Sequence, residues 1–403
     1  MSRLVSWTAL VALIVGCGDE TQTPRYTADA SSSLRDAASI LDARPLLDRG
    51  APKPDARPDV RIIDSGSTSD AQAVADGDVP ADAASPVDLG SPAPEITRFA
   101  VLGDVGKANE GQRRVAAALT DACAALGGCE FALLLGDNIY DAGAENADDP
   151  QWRTKFEEPY AEVDMPFYAT LGNHDYGAPP ILQDFAAGIG IDPTRGQAQL
   201  DYAARQNKFR MPASFYRFSA GPVELVSLNT ASLFWRDLSF IEDITGFAMI
   251  NDAQEDTLPQ WAETPLAPWR IAFGHHPYFS NGRHGNAGTY DFVFIPGLPG
   301  SGTGILEFMD RHVVGHFDVY LSGHDHNLQD LGSERGTQLL VSGAGASTRP
   351  LQGVNPAEYQ SEALGFFIVE ATENRLVFRG VEVSEESDAE RLWVEAHVRE
   401  VMR

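Results

Sequence analysis

The chain reads as a layered α/β fold. Three observations predict it. Short apolar runs end repeatedly in glycine followed by Asp, Asn or His. Helical apolar spacing separates the first two of these runs, and a hairpin-like pair of runs further on brings antiparallel pairing into the sheet. Of the 403 residues, 43% are hydrophobic, which is enough for a sizeable core in the part that folds.

Met1-Ser2-Arg3 is a short basic start, and Leu4 to Val15 is mainly apolar, interrupted by Ser6 and Thr8. This stretch is shorter than the ~20 residues a spanning helix needs and has the shape of an export signal. It ends Leu13-Ile14-Val15-Gly16-Cys17, which resembles a bacterial lipobox in which Cys17 is lipidated; an ordinary signal peptide is the alternative. Residues 18–94 are rich in Asp, Ala, Pro and Ser with almost no aromatics, so they bury too little apolar area to offset chain entropy. They are expected to form a disordered, extended tether. The expected catalytic domain is 95–403.

Within that domain, Ile96 to Leu102 predicts a buried strand ending at Gly103-Asp104. Glu110 to Leu126 predicts a helix through Val115, Ala118, Leu119 and Ala122. Phe131 to Leu135 is a second strand, Trp152 to Val163 a helix, and Phe167 to Leu171 a third strand ending at Gly172-Asn173. Phe215 to Phe218 and Val223 to Leu228 form the hairpin. Arg270 to Phe273 leads into a histidine pair, and Val319 to Leu321 into Gly323. Gly365 to Val383 and Leu392 to Val398 are strands around an acidic turn, the last supported by alternation of Leu392, Val394, Ala396 and Val398. Residues 176–208 and 231–262 are expected as open loops.

The net charge of −28 excludes a nucleic-acid-binding surface and disfavours electrostatic adsorption to anionic lipid. Membrane association is expected only through the N-terminal anchor, and the chain is expected to be an exported monomer. Besides Cys17 there are two cysteines, Cys123 and Cys129. In an exported protein this pair is expected as a disulfide, a free buried pair being the alternative.

Five blocks carry the chemistry: Gly103-Asp104-Val105-Gly106, Gly136-Asp137-Asn138-Ile139-Tyr140, Gly172-Asn173-His174-Asp175, Gly274-His275-His276-Pro277 and Gly323-His324-Asp325-His326. They hold five of the nine histidines. Carboxylate, amide and imidazole suit a pair of hard-to-borderline metal ions. Two such cations ~3.5–4 Å apart neutralise a phosphate ester, lower the pKa of bound water and clamp the attacking oxygen. Strand ends hold such ligands rigidly while loops shape the pocket.

On these residues the chain resembles the metallophosphoesterase (calcineurin-like) superfamily, and within it the purple acid phosphatases of the small, tartrate-resistant type. The superfamily's opening Asp-x-His is absent, since Asp104 is followed by Val105-Gly106; Tyr140, three residues after Asp137, stands where purple acid phosphatases carry a coordinating tyrosine. The resemblance runs from about residue 96 to about 385 and includes Arg210-Met211-Pro212, Phe215-Tyr216, Gly323 to Gln329 and Ser342 to Gly345. It implies a sandwich of two mixed β-sheets flanked by helices, with metals at the C-terminal ends of strands. It further implies Asp104, Tyr140 and His326 on an Fe(III), and Asn173, His275 and His324 on a divalent Fe, Zn or Mn, with Asp137 bridging. His174 and His284 match catalytic histidines that contact the phosphate or protonate the leaving group. Asp175 and Asp325 are expected to orient imidazoles. His276, where the family frequently has tyrosine, is open between lining the pocket and neighbouring a ligand. His312, His316 and His397 match no ligand position and are expected to be structural or surface residues. Val105 replaces a common tryptophan without removing a ligand.

The function expected from the resemblance is hydrolysis of phosphate monoesters by metal-bound hydroxide, an acid phosphatase activity. The alternatives are a phosphodiesterase acting on nucleotides or lipid headgroups, and a non-catalytic surface module that binds phosphate.

Overall fold

The glycine-terminated runs are the central strands of two sheets. The computed structural model describes residues 87–88, 96–180, 183–290, 302–385 and 391–403. The export signal, Cys17 and nearly all of the tether lie outside the described residues.

In chain order the elements are β1 (Val87–Asp88), β2 (Thr97–Leu102), α1 (Glu110–Ala125), β3 (Phe131–Leu134), β4 (Phe167–Ala169), α2 (Asn173–Tyr176), α3 (Gln183–Ala186), α4 (Pro193–Ala203) and β5 (Phe209–Arg210). There follow β6 (Tyr216–Ala220), β7 (Val223–Ser227), α5 (Thr230–Leu233), α6 (Ser239–Thr245), α7 (Phe247–Glu263), β8 (Trp269–Phe273), α8 (Thr303–His312) and β9 (Val319–Ser322). The chain closes with β10 (Leu328–Glu334), β11 (Thr337–Ser342), β12 (Tyr359–Ser361), β13 (Gly365–Thr372), β14 (Arg375–Val383) and β15 (Trp393–Met402).

One sheet runs β15-β14-β13-β2-β3-β4-β5 and the other β1-β6-β7-β8-β9-β11-β10-β12. Both are mixed. Strands β2 to β5 are parallel and β13 to β15 antiparallel. In the second sheet, β7, β8, β9 and β11 are parallel, with the expected hairpin β6–β7 at one side.

Residue parity shows why the second sheet is covered on both faces. Leu225, Ile271, Phe273 and Leu321 share one core with Phe99, Phe131 and Phe366 of the first sheet. The alternate residues Val226, Ala272 and Tyr320 pack with Leu258 and Trp261 of α7 and Ile305, Phe308 and Met309 of α8. Period-two alternation thus turns one strand face to the sandwich interior and the other to helices. On the first sheet, α1 lies on β13, β14 and β15. Its first turn is capped by Asn109, whose side chain accepts from the Gln112 N–H.

Three expectations change. Residues 176–208 and 231–262 are not open loops, because α3 and α4 lie in the first span and α5, α6 and α7 in the second. The buried stripe of α7 is Phe247, Asn251, Gln254, Leu258 and Trp261. Two polar residues interrupt it, which hides its apolar period. Trp152 to Val163 contains only a short π-helical stretch, Arg153–Glu157. Strand β1 falls inside the span expected as tether and pairs in parallel with Phe218 and Ser219 of β6. Strand β15 forms as expected, and its apolar alternation points outward: Val394 and Val398 are 51% and 48% exposed. The opposite face is fixed by Trp393, whose indole N–H donates to Asp121 Oδ2, and by His397, whose Nε2 lies 2.9 Å from the buried Asp330 carboxylate.

Candidate metal centre

All five blocks sit at the C-terminal ends of parallel strands. Asp104 follows β2, Asp137 follows β3 and Asn173 follows β4. His275 follows β8, and His324 and His326 follow β9. The first sheet therefore supplies the carboxylates, the amide and Tyr140, and the second sheet supplies the imidazoles.

The loops bend sharply to do this. Asp104, Asp137 and His324 have φ of 60°, 53° and 69°, a left-handed conformation that non-glycine residues seldom adopt and that concentrates at functional sites. The neighbouring glycines permit close approach. A Cβ on Gly172 would lie 2.2 Å from Asp137 Oδ1, and one on Gly323 would lie 2.7 Å from Asp104 Oδ2.

On one side of the centre the Tyr140 hydroxyl donates to Asp104 Oδ1 at 2.9 Å and lies 3.1 Å from His326 Nε2. On the other, His275 Nε2 is 3.0 Å from Asn173 Oδ1 and 3.0 Å from His324 Nδ1. Asp137 Oδ1 lies 3.5 Å from His275 Nε2 and accepts the His174 N–H at 2.9 Å. Donor atoms of Asp104, Asp137 and His275 all fall within 4.8 Å of one another. The seven residues expected as ligands are thus brought together in one cluster.

The donors are aimed by groups around them. His275 Nδ1 is 2.8 Å from the Leu135 carbonyl, which turns Nε2 inward. Asn173 donates its amide N–H to the Gly188 carbonyl, leaving Oδ1 toward His275. His326 Nδ1 meets Ser347 Oγ at 3.0 Å. Thr230 Oγ1 accepts the backbone N–H groups of both His275 and His276. None of Leu135, Gly188, Thr230 or Ser347 carries a spacing signal, because each meets its histidine or asparagine only through the tertiary fold.

Asp175 and Asp325 orient the site differently from expectation. Asp175 accepts from the N–H groups of Gly172, Asn138 and Ile139 and from the side chains of Asn138 and Gln199, so it ties the second block to the third through amides rather than imidazole. Asp325 accepts from the Ser280 hydroxyl and the His284 backbone N–H, which holds the loop bearing His284. His284 reaches the centre, its ring 4.2 Å from that of His324. His174 is half-buried, its ring 4.3 Å from that of Tyr140. His276 is 1% exposed and bonded to Thr230, so it is a buried neighbour of a ligand. Cys123 and Cys129 form the expected disulfide.

Electrostatics fit a cation site. Asp104 and Asp137 are 0% and 2% exposed, and among the described residues neither is ion-paired with lysine or arginine. Buried carboxylates without a counter-ion are costly. Burial pushes Asp137 up, but His275 and then His174 outweigh it and hold it at about 2 in the metal-free chain. Burial, then the charges of Asp104 and Asp137, raise Tyr140 well above its usual value, so a phenolate there needs a bound cation. Burial and neighbouring histidines push His324 well down, and burial lowers His326; neutral imidazole is the ligating form. Carboxylate, phenol, amide oxygen and imidazole together suit one hard and one borderline ion.

The fold and this donor set define a metal-dependent phosphoesterase. The chain belongs to the calcineurin-like phosphoesterase family, whose pattern it matches over residues 97–328. It is similar to tartrate-resistant acid phosphatase type 5 of Sus scrofa, 28% identical over 272 residues that cover 63% of this chain and 71% of that protein. It is also similar to purple acid phosphatase 7 of Arabidopsis thaliana, 26% identical over 303 residues, 71% of this chain and 82% of that one. Among solved structures, GAP50, the anchor in the inner membrane complex of Plasmodium, matches with a TM-score of 0.56 at 18% identity. The match covers 77% of this chain and 89% of that one, a likeness of fold.

Proposed function

We propose that the protein is a dinuclear acid phosphatase hydrolysing phosphate monoesters, with Fe(III) on Asp104, Tyr140 and His326 and a divalent Fe, Zn or Mn on Asn173, His275 and His324. Asp137 would hold both. The carrying observation is the arrangement of the cluster: Tyr140 hydroxyl with Asp104 and His326 on one side, Asn173, His275 and His324 on the other, and Asp137 between them, its carboxylate within 4.8 Å of donor atoms of both Asp104 and His275. Two cations held there would neutralise the ester's charge and acidify an attacking water.

The chain's own residues do the rest. Leu135, Gly188 and Ser347 fix which donor atoms face inward. His174 Nδ1 is tied to the Asp141 carbonyl, and the ring lies against Gly188, where an added Cβ would come 2.5 Å from Nε2. His174 and His284 then hold the phosphate and give a proton to the leaving alkoxide. Support for the metal pair comes also from the purple and tartrate-resistant relatives.

The test is metal content together with turnover on matched mono- and diesters across pH. Monoester turnover exceeding diester turnover, with two metals per chain and a visible tyrosinate band abolished by Tyr140→Phe, is expected. A colourless, iron-free but active enzyme overturns the metal assignment, and preferential diester turnover overturns the substrate. The N-terminus supports export and a lipid anchor on Cys17; Cys17→Ala should release the protein from membranes, and unchanged fractionation refutes the anchor.

A further inference from the structure

The chain contains only four lysines, Lys53, Lys107, Lys155 and Lys208, and two of them converge on Tyr140. Lys155 donates from Nζ to the Tyr140 carbonyl oxygen and to Gln151 Oε1, so it holds backbone. Lys107 does something else: its Nζ sits over the face of the Tyr140 ring, 4.2 Å from the centroid.

The backbone builds this placement. The Gly106 carbonyl accepts the Tyr140 N–H at 2.9 Å, and the Gly106 N–H donates to the Asp137 carbonyl at 3.3 Å. The first and second blocks are therefore laced together one residue before Lys107. A side chain at 106 would block the lacing, since a Cβ there would lie 1.9 Å from the Asn138 carbonyl oxygen. Ala108 then turns at φ 55°, with its N–H held by Gln112 Oε1 at 2.8 Å. Lys107 is delivered to the ring by a turn fastened on both sides.

An ammonium over an aromatic face is attracted by the ring quadrupole, and the attraction grows when the ring belongs to a phenolate. The surroundings make that charge useful. Tyr140 contacts Asp104 directly and, as a ligand, would add a further anion to a site already holding two buried carboxylates.

We propose that Lys107 is a positioning residue that acts through Tyr140, its fixed positive charge stabilising the tyrosinate and thereby setting the energy of its bond to the metal. The inference rests on Tyr140 being an iron ligand. Charge transfer from tyrosinate to Fe(III) moves electron density off the ring. A cation on the ring face stabilises the ground state more than the excited state and places the band at shorter wavelength. The same charge favours the reduced iron.

The test uses the full chain loaded with iron, comparing wild type, Lys107→Met and Lys107→Arg by visible absorbance and Fe(III)/Fe(II) potentiometry. Methionine keeps the length of the stem and removes the charge; arginine keeps the charge. The Met variant should retain its iron, with its band moved to longer wavelength and its potential lowered, and the Arg variant should move both back toward wild type. A Met variant whose band and potential match wild type overturns the role of Lys107 and leaves the tyrosinate ligand standing. An iron-loaded wild type without a tyrosinate band overturns both.

Discussion

Gly172→Ala isolates how tightly the bridging carboxylate is boxed in. Gly172 has φ −102° and ψ −179°, which alanine adopts freely, so backbone strain is not at issue. The added methyl would lie 2.2 Å from Asp137 Oδ1 and 2.4 Å from Asp137 N, well inside the ~3.5–4.0 Å of ordinary carbon contacts. The carboxylate can rotate away, but the backbone nitrogen cannot, so the second and third blocks must separate by roughly 1 Å. Overpacking of this kind costs about 1–3 kcal/mol, which leaves the protein folded. A displacement near 1 Å at a reacting centre costs about 100-fold in rate. The assays are kcat/KM on an aryl phosphate, metal content by emission spectroscopy, and the urea midpoint with its slope. Gly336→Ala is the control, with φ of 90° and nothing within 4 Å of an added Cβ; it should lose about 1 kcal/mol through left-handed strain and keep metals and rate. A Gly172→Ala enzyme with both metals and kcat/KM within about threefold of wild type refutes the geometry.

Asp137→Asn should strip the metals and nearly all activity while the chain remains folded, measured by metal analysis and circular dichroism. In the metal-free chain, Asp137 is held at about 2 against an ordinary 3.8. A depressed carboxylate adds stability that is present above the unfolded value and lost as pH falls from about 4 toward 2. This amounts to about 2 kcal/mol, and acid titrations of metal-free wild type and Asp137→Asn should differ in slope only in that window. Replacing Cys123 and Cys129 together by alanine opens a loop with a separation of six residues. It should cost about 2 kcal/mol by chain entropy in chemical denaturation, with metal content unchanged.

The candidate ligands were legible because each block is announced locally: an apolar run, a glycine, then Asp, Asn or His. Tyr140 was legible as a compensation for the histidine missing after Asp104. What aims those ligands was not. The Thr230 hydroxyl that receives the His275 and His276 N–H groups stands 45 and 46 residues away in the chain, and no spacing connects them. Asp175 sits beside His174 in sequence, yet its oxygens turn to amides of other blocks. Helix α7 was hidden by its own polar core positions: Asn251 reaches Ser232 and Glu242, and Gln254 reaches the backbone of Asn229. In β15 the alternation announced the strand but not which face it buries, because Trp393 and His397 find partners outside their own strand.

The division of donors between sheets makes the centre a mechanical joint as well as a chemical one. Asp104, Asp137 and Asn173 belong to one sheet, and His275, His324 and His326 to the other. Cations gripped by both sets would rivet the sandwich at the strand ends, and their binding free energy would add to cohesion between layers, about 4 kcal/mol per ion at a thousandfold excess over its Kd. Slippage of one layer against the other would pull the carboxylates away from the imidazoles and release the ions. Activity that depends on those ions would then be conditional on the register of the whole sandwich, and a chain with its layers misaligned would be switched off at the same point where it is unfastened.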